Sequence, residues 1–240
     1  MKYVAWSQQV SHYQPINPPE NSLAIVPLAF ALGFHAVEVD VQLSRDNQLV
    51  LMHDYTLDRA THGSGQVSDF TAAELASVAL RGGDGRHFVS TFSDALMALV
   101  ACSQRGEVMC DLRNSKRAAI QALRNAAEVS AFPMKRMMIL AYDIDSAHRI
   151  KDACPESLVL LKLSERLESV PGEDALAWGD GLLLNAARSP AILMQIRQRY
   201  SGALGAYLHH RGLGRGSLDA LRDVGCDLVT TQNHHFFCGS

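Results

Sequence analysis

The chain lacks a long apolar run. No stretch approaches the roughly 18 residues of a membrane span. Residues 1–9 also lack the apolar centre of a signal peptide. Both absences predict a cytoplasmic protein without stable membrane insertion. Charge of one sign is equally scarce: 22 basic against 25 acidic residues leave a net charge of −3. No basic field therefore points to nucleic acid as a partner. Cysteine is sparse as well. The five thiols (Cys102, Cys110, Cys154, Cys226 and Cys238) are odd in number and show no CxxC spacing. That argues against a disulfide framework or a zinc site and predicts reduced, partly buried thiols. Low-complexity segments, repeats and long linkers are missing too. What remains is an ordinary globular composition, 48% hydrophobic and 20% charged over 240 residues.

Short apolar runs alternate with helical stretches. The predicted strands are Gln9–His12, Ala36–Gln42, Leu49–His53, Val108–Arg113, Met137–Tyr142, Leu158–Leu163, Gly181–Asn185, Ala203–Leu208 and Leu228–Thr231. The predicted helices are Ser22–Leu32, Thr71–Ala79, Thr91–Cys102, Ser115–Val129, Ile144–Ala153, Pro190–Tyr200 and Ser217–Val224. Thr71 and Glu74 form a capping-box pattern at the second of these. Repeated strand–helix units predict an α/β fold with a parallel sheet under helices. About eight such strands suit a (β/α)8 TIM barrel, with a doubly wound open sheet as the alternative. Arg45–Gln48 is too short for a parallel crossover, so Leu49–His53 is a hairpin partner or an irregular barrel strand. Residues from about 54 to 90 then form an insertion at the barrel mouth, within a single domain spanning 1–240.

Barrel active sites lie at the C-terminal ends of strands, and the chemistry-bearing residues cluster there. Glu38 and Asp40 stand two apart and share one strand face, which offers two oxygens to one hard cation. The alternating Val37, Val39 and Val41 leave either set free to face inward, so a solvent-facing acid pair fits the pattern too. Acids inside a barrel mouth need a cation. His12 and His53 end their predicted strands, and Asp111 and Arg113 end the next one. A histidine beside a metal suits proton transfer at an oxygen-rich group. The plainer readings are a loop histidine held by Asp54 and a structural Asp111–Arg113 pair.

The segment from Pro19 to Leu75 reads Pro19-Glu20-Asn21-Ser22, Glu38-Val39-Asp40-Val41, His53-Asp54 and Leu57-Asp58-Arg59-Ala60-Thr61-His62-Gly63-Ser64-Gly65. In order and spacing it resembles the glycerophosphodiester phosphodiesterase family. That pattern runs His-Arg-Gly, Pro-Glu-Asn-Thr, Glu-x-Asp-Val, His-Asp and Leu-x-Arg-x-Thr-x-Gly-x-Gly. Weaker similarity reaches Gly225–Thr231. The resemblance implies the barrel rather than the open sheet. It implies Glu38, Asp40 and Asp111 as ligands of Mg²⁺ or Ca²⁺, with Asp111 standing where the family has Glu. It implies His12 and His53 as catalytic acid and base, with Tyr13 and Gln14 replacing the Arg and Gly after the first histidine. Arg113 stands for the family's phosphate-binding Lys. Tyr13, Glu20 and Tyr207 are further candidates for lining the substrate or phosphate site, Glu20 more as a loop residue than a ligand. Arg59 and Thr61 are expected to fix the mouth loop. His209-His210-Arg211-Gly212 reads as a chance match to the first motif, and His234-His235 as a polar tail.

These implications converge on metal-dependent hydrolysis of glycerophosphodiesters to glycerol 3-phosphate and an alcohol. The expected partner is a small-molecule substrate, with homodimerisation left open. Two alternatives stand beside it: a lipid-acting phospholipase D or lyase of the same superfamily, and a catalytically silent barrel that binds a phosphodiester.

Overall fold

A computed structural model describes residues 1–6, 18–163, 171–185, 190–207 and 215–231. Its strands are β1 (Lys2–Ala5), β2 (Ala36–Leu43), β3 (Leu49–Leu51), β4 (Glu107–Leu112), β5 (Met137–Ala141), β6 (Leu158–Lys162), β7 (Gly181–Asn185), β8 (Ala203–Tyr207) and β9 (Leu228–Thr231). Its helices are α1 (Ile25–Ala31), α2 (Ala72–Leu75), α3 (Phe92–Cys102), α4 (Arg117–Val129), α5 (Ile144–Ala153), α6 (Glu173–Leu176), α7 (Pro190–Arg199) and α8 (Arg215–Asp223). Apart from β3, the strands pair in parallel in the order β1-β2-β4-β5-β6-β7-β8-β9, and β9 returns to β1. The sheet is therefore a closed (β/α)8 barrel, and the open-sheet alternative falls. β3 is the hairpin partner of β2, pairing antiparallel through Val41↔Leu51 and Leu43↔Leu49.

Closure settles which face of β2 points inward. Val37, Val39 and Val41 pack in the large apolar layer under the helices, with Val108, Cys110, Ile139, Val159, Leu182, Leu204 and Val229. Ala36 joins the smaller inner core with Val4, Met109, Met138, Leu140, Leu160, Leu183 and Leu228. By the two-residue period, Glu38 and Asp40 continue the inward row above Ala36. Gly205 leaves room for two side chains of that interior. A Cβ on Gly205 would stand 2.6 Å from Leu228 Cδ1 and 2.8 Å from Leu183 Cδ1.

The first barrel strand is not where the sequence suggested. Gln9–His12 lies outside the described residues, and β1 is Lys2–Ala5, whose pairing with β2 and β9 closes the ring. Val4 fills the interior while Ala5 faces the helices, so this short run meets the barrel's requirement. Trp6 follows, and its N–H donates to Thr231 O at 3.3 Å. His12 therefore does not end the first barrel strand. Smaller differences have local causes. The capping box at Thr71 and Glu74 is present, but α2 stops at Leu75. The chain then turns into bridges joining Thr61 to Leu80 and Ala79 to Phe88. β3 ends at Leu51, two residues before His53.

The mouth excursion carries its own core. Val50, Met52, Leu57, Ala60, Val67, Ala72, Leu75, Leu80 and Val89 form an apolar cluster separate from the barrel's two. β3 contributes Val50 to this cluster and Leu49 and Leu51 to the helix layer. The hairpin thus anchors the excursion to the barrel. The thiols of Cys110, Cys154 and Cys226 are buried and free, and Cys102 is free and exposed. Cys238 lies outside the described residues.

Candidate active site

Glu38, Asp40 and Asp111 meet at the barrel mouth. Each offers one carboxylate oxygen, and the three lie within 4.8 Å of one another. All are buried, with 4%, 0% and 1% of their surface exposed. Parallel register explains the meeting, because Asp40 pairs directly with Asp111 across β2 and β4. Three buried carboxylates repel one another unless positive charge joins them. An all-oxygen set at this spacing fits a hard cation such as Mg²⁺ or Ca²⁺.

The carboxylates are held by the neighbouring protein. Asn21 donates from Nδ2 to Asp40 Oδ2 at 3.0 Å, and its Oδ1 accepts from the Asp40 backbone N–H at 3.1 Å. Asn21 adopts a φ of 53°, a left-handed conformation that asparagine tolerates better than most residues. Tyr142 Oη lies 2.7 Å from both oxygens of Asp111. Burial, and then the Asp111 charge, push the Tyr142 pKa strongly upward, so the phenol stays protonated and donates. Lys162 Nζ reaches Asp111 Oδ2 at 3.3 Å. Arg113 Nη1 lies 3.6 Å from Asp111 Oδ2, 4.0 Å from Asp40 Oδ1 and 3.0 Å from Tyr142 Oη. Burial opposes the Arg113 charge, yet the carboxylates led by Asp111 outweigh it and raise its pKa.

His53 stands at the start of the excursion. Gln42 on β2 donates to its backbone carbonyl at 2.9 Å. Its Nδ1 lies 2.6 Å from Asp54 Oδ1. Arg59 donates from Nε to Asp54 Oδ2 at 2.5 Å and grips Glu20 through both terminal nitrogens at 2.8 and 2.6 Å. The hydrogen bond from Arg59 is the main reason the Asp54 pKa is lowered, against a smaller cost of burial. An ionised Asp54 accepts from Nδ1–H and so fixes the imidazole tautomer, leaving Nε2 as the nitrogen that can meet a ligand. Thr61 is buried and bonds to Leu57 O at 2.8 Å, closing the mouth loop as expected.

Of the residues singled out from sequence, Glu38, Asp40, Asp111 and Arg113 therefore come together. Glu20 is engaged by Arg59. Tyr207 is buried at the end of β8, with Lys162 Nζ 5.6 Å from its ring centre. His12, Tyr13, Gln14, His209, His210, His234 and His235 lie outside the described residues. The sequence reading missed Asn21 as a carboxylate anchor, and it missed Tyr142 and Lys162 altogether. Both of the latter are polar residues closing or nearly closing apolar strand runs, the same signal that picked out Asp111.

Comparison with known proteins bears on the family and the fold. A sequence model described as the glycerophosphoryl diester phosphodiesterase family matches residues 10–172. A glycerophosphodiester phosphodiesterase of Caldanaerobacter subterraneus is 49% identical over 59 residues, covering 25% of this chain and 24% of that protein. The matched stretch thus spans about a quarter of that curated relative. Solved structures match over nearly the whole chain. The glycerophosphodiester phosphodiesterase of Agrobacterium tumefaciens superposes with a TM-score of 0.74 at 19% identity, covering 99% of this chain and 98% of that one. A phosphodiesterase of Oleispira antarctica, solved with the product sn-glycerol-3-phosphate, gives a TM-score of 0.76 at 20% identity, covering 97% and 93%. At such identities the likeness establishes the barrel fold.

Proposed function

The chain belongs to the glycerophosphoryl diester phosphodiesterase family, and from that premise we propose that its barrel mouth hydrolyses glycerophosphodiesters to glycerol 3-phosphate and an alcohol. The observation that carries this reading is the meeting of Glu38, Asp40 and Asp111 inside the barrel, with the imidazole of His53 held by Asp54 at the start of the adjoining excursion. A divalent cation, Mg²⁺ or Ca²⁺, held there would supply Lewis-acid stabilisation of charge developing on the phosphoryl group. The chain's own residues do the rest. Asn21 and Tyr142 keep two of the carboxylates oriented before any ligand arrives. Arg113 offers a fork to a non-bridging phosphate oxygen. His53 exchanges a proton at Nε2 with the attacking or leaving oxygen, while Asp54 stabilises the imidazolium. Cleavage breaks the P–O bond to the leaving alcohol, which takes up a proton; water forms the new P–O bond directly, or the glycerol 2-hydroxyl forms a cyclic phosphate that water then opens to glycerol 3-phosphate. The second acid/base group in this reading is His12. A small-molecule substrate and cytoplasmic action belong to the same proposal. Among the described residues, no helix is long and apolar enough to cross a membrane.

One observation favours a second reading. β1 leads into Trp6 rather than a histidine, which suits a barrel that binds a phosphodiester without turning it over. The deciding experiment is release of glycerol 3-phosphate from glycerophosphocholine and glycerophosphoethanolamine, with Mg²⁺, with Ca²⁺ and with EDTA. Metal-dependent release is the expected result, and a cyclic phosphate product would redirect the assignment to a lyase. Ligand binding with no turnover of either substrate would establish the silent barrel.

A further inference from the structure

Lys162 occupies a place that the reading above does not use. Two residues beyond the paired Asp111 and Leu140, β4 and β5 present Arg113 and Tyr142; two beyond Leu160 in the next register, β6 presents Lys162. The inward period therefore sets a cation, a phenol and a second cation side by side, one step nearer solvent than Asp111. Burial follows this order: Arg113 and Lys162 keep 23% and 26% of their side chains exposed, against 1% for Asp111. Lys162 Nζ lies 3.3 Å from Asp111 Oδ2 and 3.4 Å from Tyr142 Oη. It also sits 5.2 and 5.6 Å from the ring centres of Tyr142 and Tyr207. These two aromatic walls hold the ammonium over the mouth.

Donor accounting gives the group work to do. An ammonium has three N–H donors and a guanidinium has five. Among the described residues, the polar partners of Lys162 are Asp111 and Tyr142, at the long end of hydrogen bonding. The side-chain bond of Arg113 goes from Nη1 to Tyr142. Donors therefore remain on both cations, whose side chains are still partly exposed. Charge accounting agrees. Among the described residues, three carboxylates against Arg113 and Lys162 leave one net negative charge. A divalent cation would turn that into one net positive charge, which a phosphodiester monoanion would neutralise. Without Lys162 the loaded cluster would be neutral before the substrate arrived.

We propose that Lys162 is a second phosphate-binding residue, closing on a substrate phosphate from β6 while Arg113 holds it from β4. The proposal rests on the phosphodiester reading of this site. The plain alternative is that Lys162 merely neutralises Asp111.

The test is calorimetric titration of wild type, Lys162→Met and Lys162→Arg with sn-glycerol 3-phosphate and with inorganic phosphate, at saturating Mg²⁺. Loss of a charged donor should weaken binding of both ligands about tenfold or more in Lys162→Met, and Lys162→Arg should restore most of it. Unchanged phosphate affinity in Lys162→Met, with only Mg²⁺ affinity altered, would overturn the proposal in favour of simple neutralisation. A measurement on wild type guards against a variant that does not fold. Acetylation of Lys162, followed by peptide mass spectrometry, should slow several-fold when glycerol 3-phosphate and Mg²⁺ are present. Equal labelling with and without the ligand would also overturn it. Failure of the reaction itself reads out separately. A wild type that binds phosphate through Lys162 but releases no glycerol 3-phosphate sinks the hydrolase and keeps the clamp.

Discussion

Asp54 decides which nitrogen His53 presents. Its Oδ1 takes Nδ1, while Arg59 takes Oδ2 and ties the pair to Glu20. Removing the imidazole removes the proton exchange, so His53→Ala should lower kcat by about 10²–10⁴-fold. The melting temperature should stay near that of wild type, because the ring is part-exposed; a rate within a fewfold of wild type would sink the role. The same linkage gives a pH signature. The Asp54 pKa is lowered from 3.8, so the folded state binds this proton less readily than the unfolded one. The contribution to stability is complete above the unfolded value and is lost as pH falls through the folded value. Asp54→Asn should therefore be less stable than wild type near neutral pH, with the gap closing in acid. Urea midpoints at several pH values would read this, and a gap that widens in acid would contradict it. These residues were legible because their motif is local and their spacing distinctive. Lys162 and Tyr142 were not, since each is a single polar residue on an otherwise apolar strand. Only the register of three neighbouring strands brings them to Asp111. Alternation in β2 likewise left open whether acids or valines faced inward, and ring closure answered it.

Elements show the same division between local and distant causes. The helix starts at Thr71 and Thr91 are sequence-local and real: each threonine accepts from the backbone three residues on, and the acid there returns the bond. Thr91→Ala should cost about 1 kcal/mol by removing that cap from α3. Equilibrium unfolding in urea checks this, and no loss would mean the helix is held by packing alone. The first barrel strand was misplaced for the opposite reason. Both Lys2–Ala5 and Gln9–His12 are short runs of mixed polarity, and pairing partners more than thirty residues away choose between them. Gly205 is another position whose demand is set by distant chain. Its missing Cβ leaves room for Leu228 and Leu183 in the inner core. Gly205→Ala should destabilise the barrel by about 1–3 kcal/mol through overpacking, seen as a lower urea midpoint with an unchanged slope.

At the scale of the whole molecule, the barrel's stability and its chemistry share one group of charges. Glu38 and Asp40 on β2 meet Asp111 on β4 because those strands pair in parallel across a long stretch of sequence. In the unfolded chain they are far apart and solvated. Folding gathers them where water is excluded, and among the described residues Arg113 and Lys162 offset part of the cost. A divalent cation bound by the folded state alone should therefore raise its stability by mass action. At a concentration one hundred times the dissociation constant, the gain is about 2.7 kcal/mol. For a domain of this size, each kcal/mol moves the melting temperature by about 2–4 °C, so saturating Mg²⁺ or Ca²⁺ should raise it by about 5–10 °C over EDTA. Asp40→Asn should abolish that rise. The same variant should also be less sensitive to EDTA than wild type, because one of the three repelling charges is gone. A wild-type melting temperature that ignores both cations and chelator would mean that Arg113 and Lys162 already satisfy the carboxylates. The cluster would then be a closed ion network, and the hydrolytic reading would lose the cation it depends on.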